Sequence, residues 1–146
     1  MQSTSRVIAT DIDTVWSVLA DGWLYPLFVV GASRMREVDD SWPEPGSRLH
    51  HSVGSWPALI NDHTTVLAAE PPSRLRLRAR AWPSGEAEVE FLLEPEGTGT
   101  HVELREDVVA GPATLIPAVA RHPLLGWRNT ETLRRLAYVA ERRGTR

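Results

Sequence analysis

The sequence predicts an α+β fold in which a curved antiparallel sheet of about seven strands wraps around a long C-terminal helix. Two patterns indicate it. Apolar and polar residues alternate over residues 33–109, with turn residues about every ten positions, and residues 123–143 carry an apolar stripe at helical spacing. A sheet with one apolar face can bury that face only by curling around the helix. We therefore expect the 146 residues to form one domain.

The N-terminal part of the chain predicts a strand followed by one or two short helices. The strand covers residues 3–9 and the first helix covers 11–20, where apolar residues recur at helical spacing. A second short helix or turn covers 22–29 and is interrupted near Pro26.

Two neighbouring strands show the clearest alternation. Arginines fill every other position of residues 73–82, and glutamates fill most of the corresponding positions of residues 86–94. A three-residue loop that ends on Gly85 would join them, because glycine supplies the left-handed conformation that such a loop needs. This loop predicts three facing pairs: Arg80 with Glu88, Arg78 with Glu90, and Arg74 with Glu94.

The last strand and the last helix carry the most informative inner faces. The strand covers about 99–108, and strict alternation places Glu106 on the same face as Val102 and Leu104. The helix is predicted from Pro123, a residue favoured at the first helical position, to about Arg143. Its predicted buried face comprises Leu125, Asn129, Thr132, Leu133, Leu136 and Ala140, with Trp127 and Tyr138 opposite.

Composition excludes several classes of function. The chain has no cysteine, which rules out disulfides, thiolate metal sites and a cysteine nucleophile. A formal net charge of −3 argues against a nucleic-acid partner. The sequence has no membrane-spanning apolar run and no signal-peptide core, so we expect a cytoplasmic location. It also has no glycine-rich phosphate loop and no serine-centred elbow, so no cofactor is expected.

Four segments resemble the START-like helix-grip superfamily, specifically bacterial proteins described as polyketide cyclase/dehydrase or SRPBCC. They are residues 11–19 after the first strand, Pro45-Gly46-Ser47-Arg48, residues 70–75, and the C-terminal helix. The resemblance covers essentially the whole chain and specifies fold better than chemistry, because the scaffold hosts carriers, receptors, co-chaperones and cyclases. It implies a deep cavity between sheet and helix that accepts a hydrophobic or amphipathic small molecule.

Two titratable residues are candidates for acid–base chemistry in such a cavity. His50 and His51 leave opposite faces of their strand, and His51 shares its phase with Leu49 and Val53. His51 could therefore exchange a proton with a ligand, or it could be a structural histidine. An inward Glu106 could act as a general base, unless a bulge at the strand end turns it outward.

Metal binding by the histidines has little support in the sequence. His51, His63 and a carboxylate show no ligand spacing, so no metal site is predicted. The inward or outward phase of residues 58–70, which include His63, stays open.

The remaining candidates would hold a ligand. Asn129 lies on the apolar face of the last helix, where its amide must bind a ligand, a backbone carbonyl or a buried water. Arg128 could reach a ligand oxygen or extend to solvent. Further candidates for the wall or mouth are Trp23, Trp56, Leu77, Phe91, Leu125 and Leu133.

Three classes of function follow from these residues. The first is a binding module that carries or sequesters a small hydrophobic ligand. The second is a cyclase, aromatase or dehydratase in which His51 or Glu106 moves the proton. The third is an interaction protein that uses its outer face, where Trp127 and Tyr138 could also form a homodimer contact.

Overall fold

The strands and helices occur along the chain in the predicted order. The computed structural model describes residues 2–30, 32–53, 60–83 and 85–144. Its strands are β1 (Gln2–Ile8), β2 (Ala32–Val38), β3 (Arg48–Val53), β4 (Ile60–Glu70), β5 (Arg74–Ala81), β6 (Gly85–Glu96) and β7 (Gly99–Ala110). Its helices are α1 (Ile12–Leu19), α2 (Tyr25–Phe28) and α3 (Ala118–Gly144), with 3-10 turns at Gly22–Leu24 and Pro112–Leu115.

Within the described residues the seven strands form one antiparallel sheet in the order β1-β7-β6-β5-β4-β3-β2. The first two strands of the chain therefore lie at opposite edges. The intervening α1 and α2 carry the chain from one edge to the other. This arrangement confirms the predicted α+β class with a curved sheet of seven strands and a long C-terminal helix.

The core fills the space between the inner face of the sheet and the helices. Alternate residues of β5, β6 and β7, such as Leu77, Phe91 and Leu104, are at most 2% exposed. They belong to the same apolar cluster as Leu133 and Leu136 of α3. Each such side chain contributes about 1.5–3 kcal/mol through removal from water. None of the described helices combines the length and the hydropathy needed to cross a bilayer.

The long helix has the predicted buried face but begins earlier than predicted. All six residues of that face are buried, from Leu125 to Ala140. The helix starts at Ala118, not at Pro123, and the Pro117 carbonyl accepts the first turn's backbone N–H groups. Pro123 lies in the second turn, where it cannot donate to the carbonyl of residue 119 and its ring crowds that carbonyl.

The side of α3 opposite the sheet is exposed. Trp127 is 72% exposed and Tyr138 is 57% exposed. The homodimer contact suggested for these two residues stays a prediction.

The register between β5 and β6 differs from the predicted one by two residues. Gly85 belongs to β6 and pairs with Ala81, so Arg80 faces Glu86 and not Glu88. The left-handed backbone of Gly85, with φ +135°, starts the strand and does not end the loop. The shortest ion pairs run diagonally: Arg74–Glu90 at 2.8 Å, Arg76–Glu88 at 2.7 Å and Arg78–Glu86 at 2.9 Å.

Candidate ligand-binding site

A cavity of about 150 Å³ lies between the inner face of the sheet, α2 and the middle of α3. It forms where small side chains on the sheet, such as Ala79, oppose the helices. Its walls are mostly apolar and carry a few polar groups. The lining residues are Tyr25, Val29, Val30, His51, Thr64, Ala79, Arg80, Val89, Phe91, Leu104, Glu106, Arg128, Asn129 and Thr132.

His51 faces inward, as the phase of β3 predicts, and is 3% exposed. Its Nε2 lies 2.8 Å from the Thr64 hydroxyl oxygen, and its ring stacks on Tyr25 at a centroid distance of 6.4 Å. Its Nδ1 is buried and has no hydrogen-bond partner among the described residues. Burial lowers the pKa of His51 to about 4, so the ring is neutral at pH 7.

The burial of Thr64 shows which side of β4 faces the core at this point of the strand. Thr64 and Val66 are at most 1% exposed, so the side of β4 that includes these residues faces the core. His63 therefore lies on the outer face, where its ring is 6.4 Å from that of His50. The described residues contain no group of three or more His, Asp or Glu side chains placed to hold a metal ion.

Tyr25, on α2, lies beside His51 and Thr64 in the cavity wall. It is 7% exposed, its ring stacks on His51, and it lines the cavity together with Thr64. Burial, together with the negative charge of Glu106, raises the pKa of Tyr25 to about 12. The phenol is consequently protonated at neutral pH and can donate a hydrogen bond.

Glu106 also faces inward, at 5% exposure. Strict alternation holds to this point of β7, where Glu106 pairs with Val89. The irregularity in this ladder falls nearer the strand end, between Glu86 and Ala87 of β6. A guanidinium nitrogen of Arg128 donates to the Glu106 carboxylate, so this arginine neutralises the buried charge.

Asn129 is 2% exposed in the wall formed by α3. Its Nδ2 is buried and has no hydrogen-bond partner in the described part of the chain. An unpaired buried amide donor costs about 1–3 kcal/mol. Of the three partners considered from the sequence, a neighbouring backbone carbonyl is thus not in place, which leaves a ligand or a bound water.

Several predicted ligand-binding residues do not line the cavity. Leu77, Leu125 and Leu133 are buried in packed parts of the molecule, at 1%, 8% and 1% exposure. Trp23 is 56% exposed and borders a separate, more open depression of about 280 Å³. Trp56 lies outside the described residues. Phe91, His51, Glu106, Arg128 and Asn129 do line the cavity.

Sequence reasoning missed Tyr25, Thr64 and Arg80. Arg80 lies where the β4–β5 ladder stops at Thr64 and Ala79. Beyond that point the Asp62 carboxylate accepts hydrogen bonds from Arg80 Nε at 3.2 Å and from the Trp82 backbone N–H at 3.1 Å. Alternation along β4 places Thr64 on one of the two faces of the strand, but the sequence does not show which of these faces is the inner one.

The curved sheet closed around a long helix, with a cavity between the two, places the chain in the class of helix-grip proteins. It belongs to the family described as polyketide cyclase / dehydrase and lipid transport, whose family model matches residues 2–141. A search of curated protein sequences found no significant match.

Solved structures share the fold at low sequence identity. The Zhui aromatase/cyclase from Streptomyces sp. R1128 has a TM-score of 0.74 and 20% identity over 97% of this chain and 93% of that one. The di-domain aromatase/cyclase StfQ from the steffimycin biosynthetic pathway has a TM-score of 0.74 and 13% identity over 99% of this chain. The match covers 51% of StfQ, so the chain spans about half of its length. Ara h 8.0201 has a TM-score of 0.71 and 9% identity over 94% of this chain and 95% of that one.

Proposed function

We propose that this protein binds a small hydrophobic molecule in the cavity between the sheet and α3. The observation that carries the proposal is an internal space with largely apolar walls and two buried polar nitrogens, His51 Nδ1 and Asn129 Nδ2, that have no hydrogen-bond partner among the described residues. Apolar walls favour binding by removing ligand surface from water, and a few polar groups fix orientation. The family description, which includes lipid transport, supports the same class of function.

The size and the charges of the cavity favour binding over catalysis. Glu106, one of the two candidate bases, is held by Arg128. His51, with a pKa of about 4, is a weak base, whereas a general base works best with a pKa near the operating pH. The cavity of about 150 Å³ is also smaller than the ~300–1,000 Å³ of pockets for drug-sized ligands, so it has room for a small molecule and not for a long polyketide chain.

Filling the cavity provides the test. In Ala79→Leu the added side chain enters the cavity, whereas Ala68→Leu makes the same change on the outer face, opposite Arg76. We expect mass spectrometry of native protein to recover a small apolar molecule, and a panel of single-ring hydrophobic compounds to raise the melting temperature. Ala79→Leu should lose both responses and Ala68→Leu should keep them. No recovered molecule and no shift with any compound would contradict the proposal.

A cyclase or dehydratase is the second candidate, favoured by the free Nδ1 of His51 beside Thr64 and Tyr25. When Nε2–H donates to Thr64, the Nδ1 lone pair can take a proton from a carbon between two carbonyl groups. The carbanion then attacks a second carbonyl carbon, and the resulting alkoxide regains the proton from His51. Loss of water from this product needs no oxidant. Turnover of a poly-β-ketone short enough for this cavity that disappears in His51→Gln while binding persists would favour this candidate.

The cytoplasmic location stays a prediction from the sequence.

A further inference from the structure

Each charged side chain that lines the cavity is paired with an opposite charge. Arg128 is paired with Glu106, and Arg80 is paired with Asp62 at 3.2 Å. His51 is neutral at pH 7 because burial lowers its pKa. An anionic ligand would therefore find each lining arginine already engaged and would lie beside the Glu106 carboxylate. This balance favours an uncharged ligand, because a buried charge without a partner is costly.

The unpaired amide of Asn129 specifies one feature of that ligand. In the orientation that the side-chain amide has here, the atom without a partner is Nδ2, which is a donor, so the partner that it lacks is an acceptor. By contrast, His51 Nδ1 can be donor or acceptor, depending on the tautomer. Asn129 Nδ2 is buried from bulk water and has no partner in the part of the chain that the structure describes, so a molecule held in the cavity is the acceptor that we consider.

The cavity volume limits the size of the ligand. A dry cavity of ~150 Å³ in another protein accepts benzene, which sets the scale at one ring with a small substituent. The aromatic walls, Tyr25 and Phe91, suit such a ring.

Resting on the proposed binding function, we propose that the cavity selects a neutral, single-ring molecule that carries an uncharged oxygen acceptor, and that Asn129 Nδ2 donates to this oxygen. A ketone or aldehyde on an aromatic ring has this chemistry. The oxygen lies on the α3 side of the cavity, and the ring lies against the sheet.

Three probes of similar shape test the inference by calorimetric titration: acetophenone, ethylbenzene and benzoate. The wild-type protein should bind acetophenone at least about tenfold more tightly than ethylbenzene, since a buried donor gains its partner. It should bind benzoate at least about tenfold more weakly than acetophenone, because no lining cation is free. In nitrogen-15 NMR spectra the Asn129 side-chain amide signal should shift further with acetophenone than with ethylbenzene, because both rings lie near the amide but only acetophenone accepts its hydrogen bond.

Asn129→Leu is the matched variant, because leucine keeps the branched shape and the number of heavy atoms of the side chain and removes the donor. It should lose the preference for acetophenone over ethylbenzene, whereas Ala68→Leu, on the outer face of the sheet, should keep the preference. Cooperative urea unfolding shows independently of binding that the variant is folded.

The outcomes separate this inference from the function on which it rests. Equal wild-type affinities for acetophenone and ethylbenzene would overturn the inference and leave hydrophobic binding standing. Tightest binding of benzoate, or an unchanged preference in Asn129→Leu, would do the same. Binding of none of the three probes would overturn both the inference and the proposed function.

Discussion

His51 illustrates how burial of one side chain controls its protonation and couples it to stability. The ring is hydrogen-bonded to Thr64 and stacks on Tyr25. Burial therefore dominates over the attraction of Asp62 and lowers the pKa from 6.5 to about 4. In the unfolded chain the same ring takes up a proton at its ordinary pKa.

This difference predicts a loss of stability in mild acid. Between pH 6.5 and 4 the unfolded state binds a proton that the folded state does not, so the free energy of unfolding falls as the pH falls. A shift of this size corresponds to up to about 3 kcal/mol. Urea unfolding at a series of pH values should show this fall in the wild type relative to His51→Gln. Parallel curves for the two proteins would contradict the assignment.

At the level of elements, the β5–β6 hairpin depends on a close backbone approach at Gly85. A Cβ at this position would lie 2.0 Å from the Ala110 carbonyl oxygen, and φ is +135°. Gly97, in the turn between β6 and β7, has φ +59° but nothing within 4 Å of a Cβ. Only the first glycine is required both by conformation and by space.

Alanine substitution should separate these two requirements. Gly85→Ala should lower the free energy of unfolding by at least about 2 kcal/mol, because a strained backbone is combined with a clash. Gly97→Ala should lower it by only about 1 kcal/mol, the cost of the left-handed conformation alone. Denaturant unfolding measures both values. Equal losses would mean that the Ala110 backbone moves away without cost.

The sequence predicts well which side chains of a strand face inward, but it predicts poorly which of these side chains line the cavity. Alternation placed Glu106 and His51 on the inner face because a period of two leaves only two choices. It could not separate Leu77 from Ala79, which share that face. Leu77 fills its own space, whereas Ala79 leaves room beside it. Whether a space is filled depends on side chains from distant elements, here α2 and α3.

The hairpin register shows a second limit. The glycine signal near residue 85 was present in the sequence, but a glycine can end a loop or begin a strand. The deciding contact, with Ala110 of β7, comes from a strand much later in the chain.

For the whole molecule, α3 is the helix that packs against both the sheet and α1 in the apolar core. Leu133, Leu136 and Ala140 are at most 1% exposed and lie in the same apolar cluster as residues of β7 and α1. The opposite side of the helix makes no comparable contribution, since Trp127 is 72% exposed. Stability should therefore depend strongly on one side of this helix.

Paired truncations on α3 check this dependence. Leu136→Ala should lower the free energy of unfolding by about 2–5 kcal/mol, because it leaves a cavity in the core. Trp127→Ala removes a larger side chain but should change stability by no more than about 0.5 kcal/mol, as for other surface positions. Thermal or urea unfolding measures both. A larger loss for Trp127→Ala would indicate that its side is covered in solution.

The pairing of β1 with β7 also has a consequence for biosynthesis. Thr4 pairs with Leu104, so the hydrogen-bonding partner of β1 leaves the ribosome long after β1 itself. Until then the unpaired edge of a nascent β1 is open to wrong partners, and contacts between distant parts of a chain form slowly. Chaperones that shield emerging chains should consequently matter more for the yield of this protein than for that of a helical bundle of equal length.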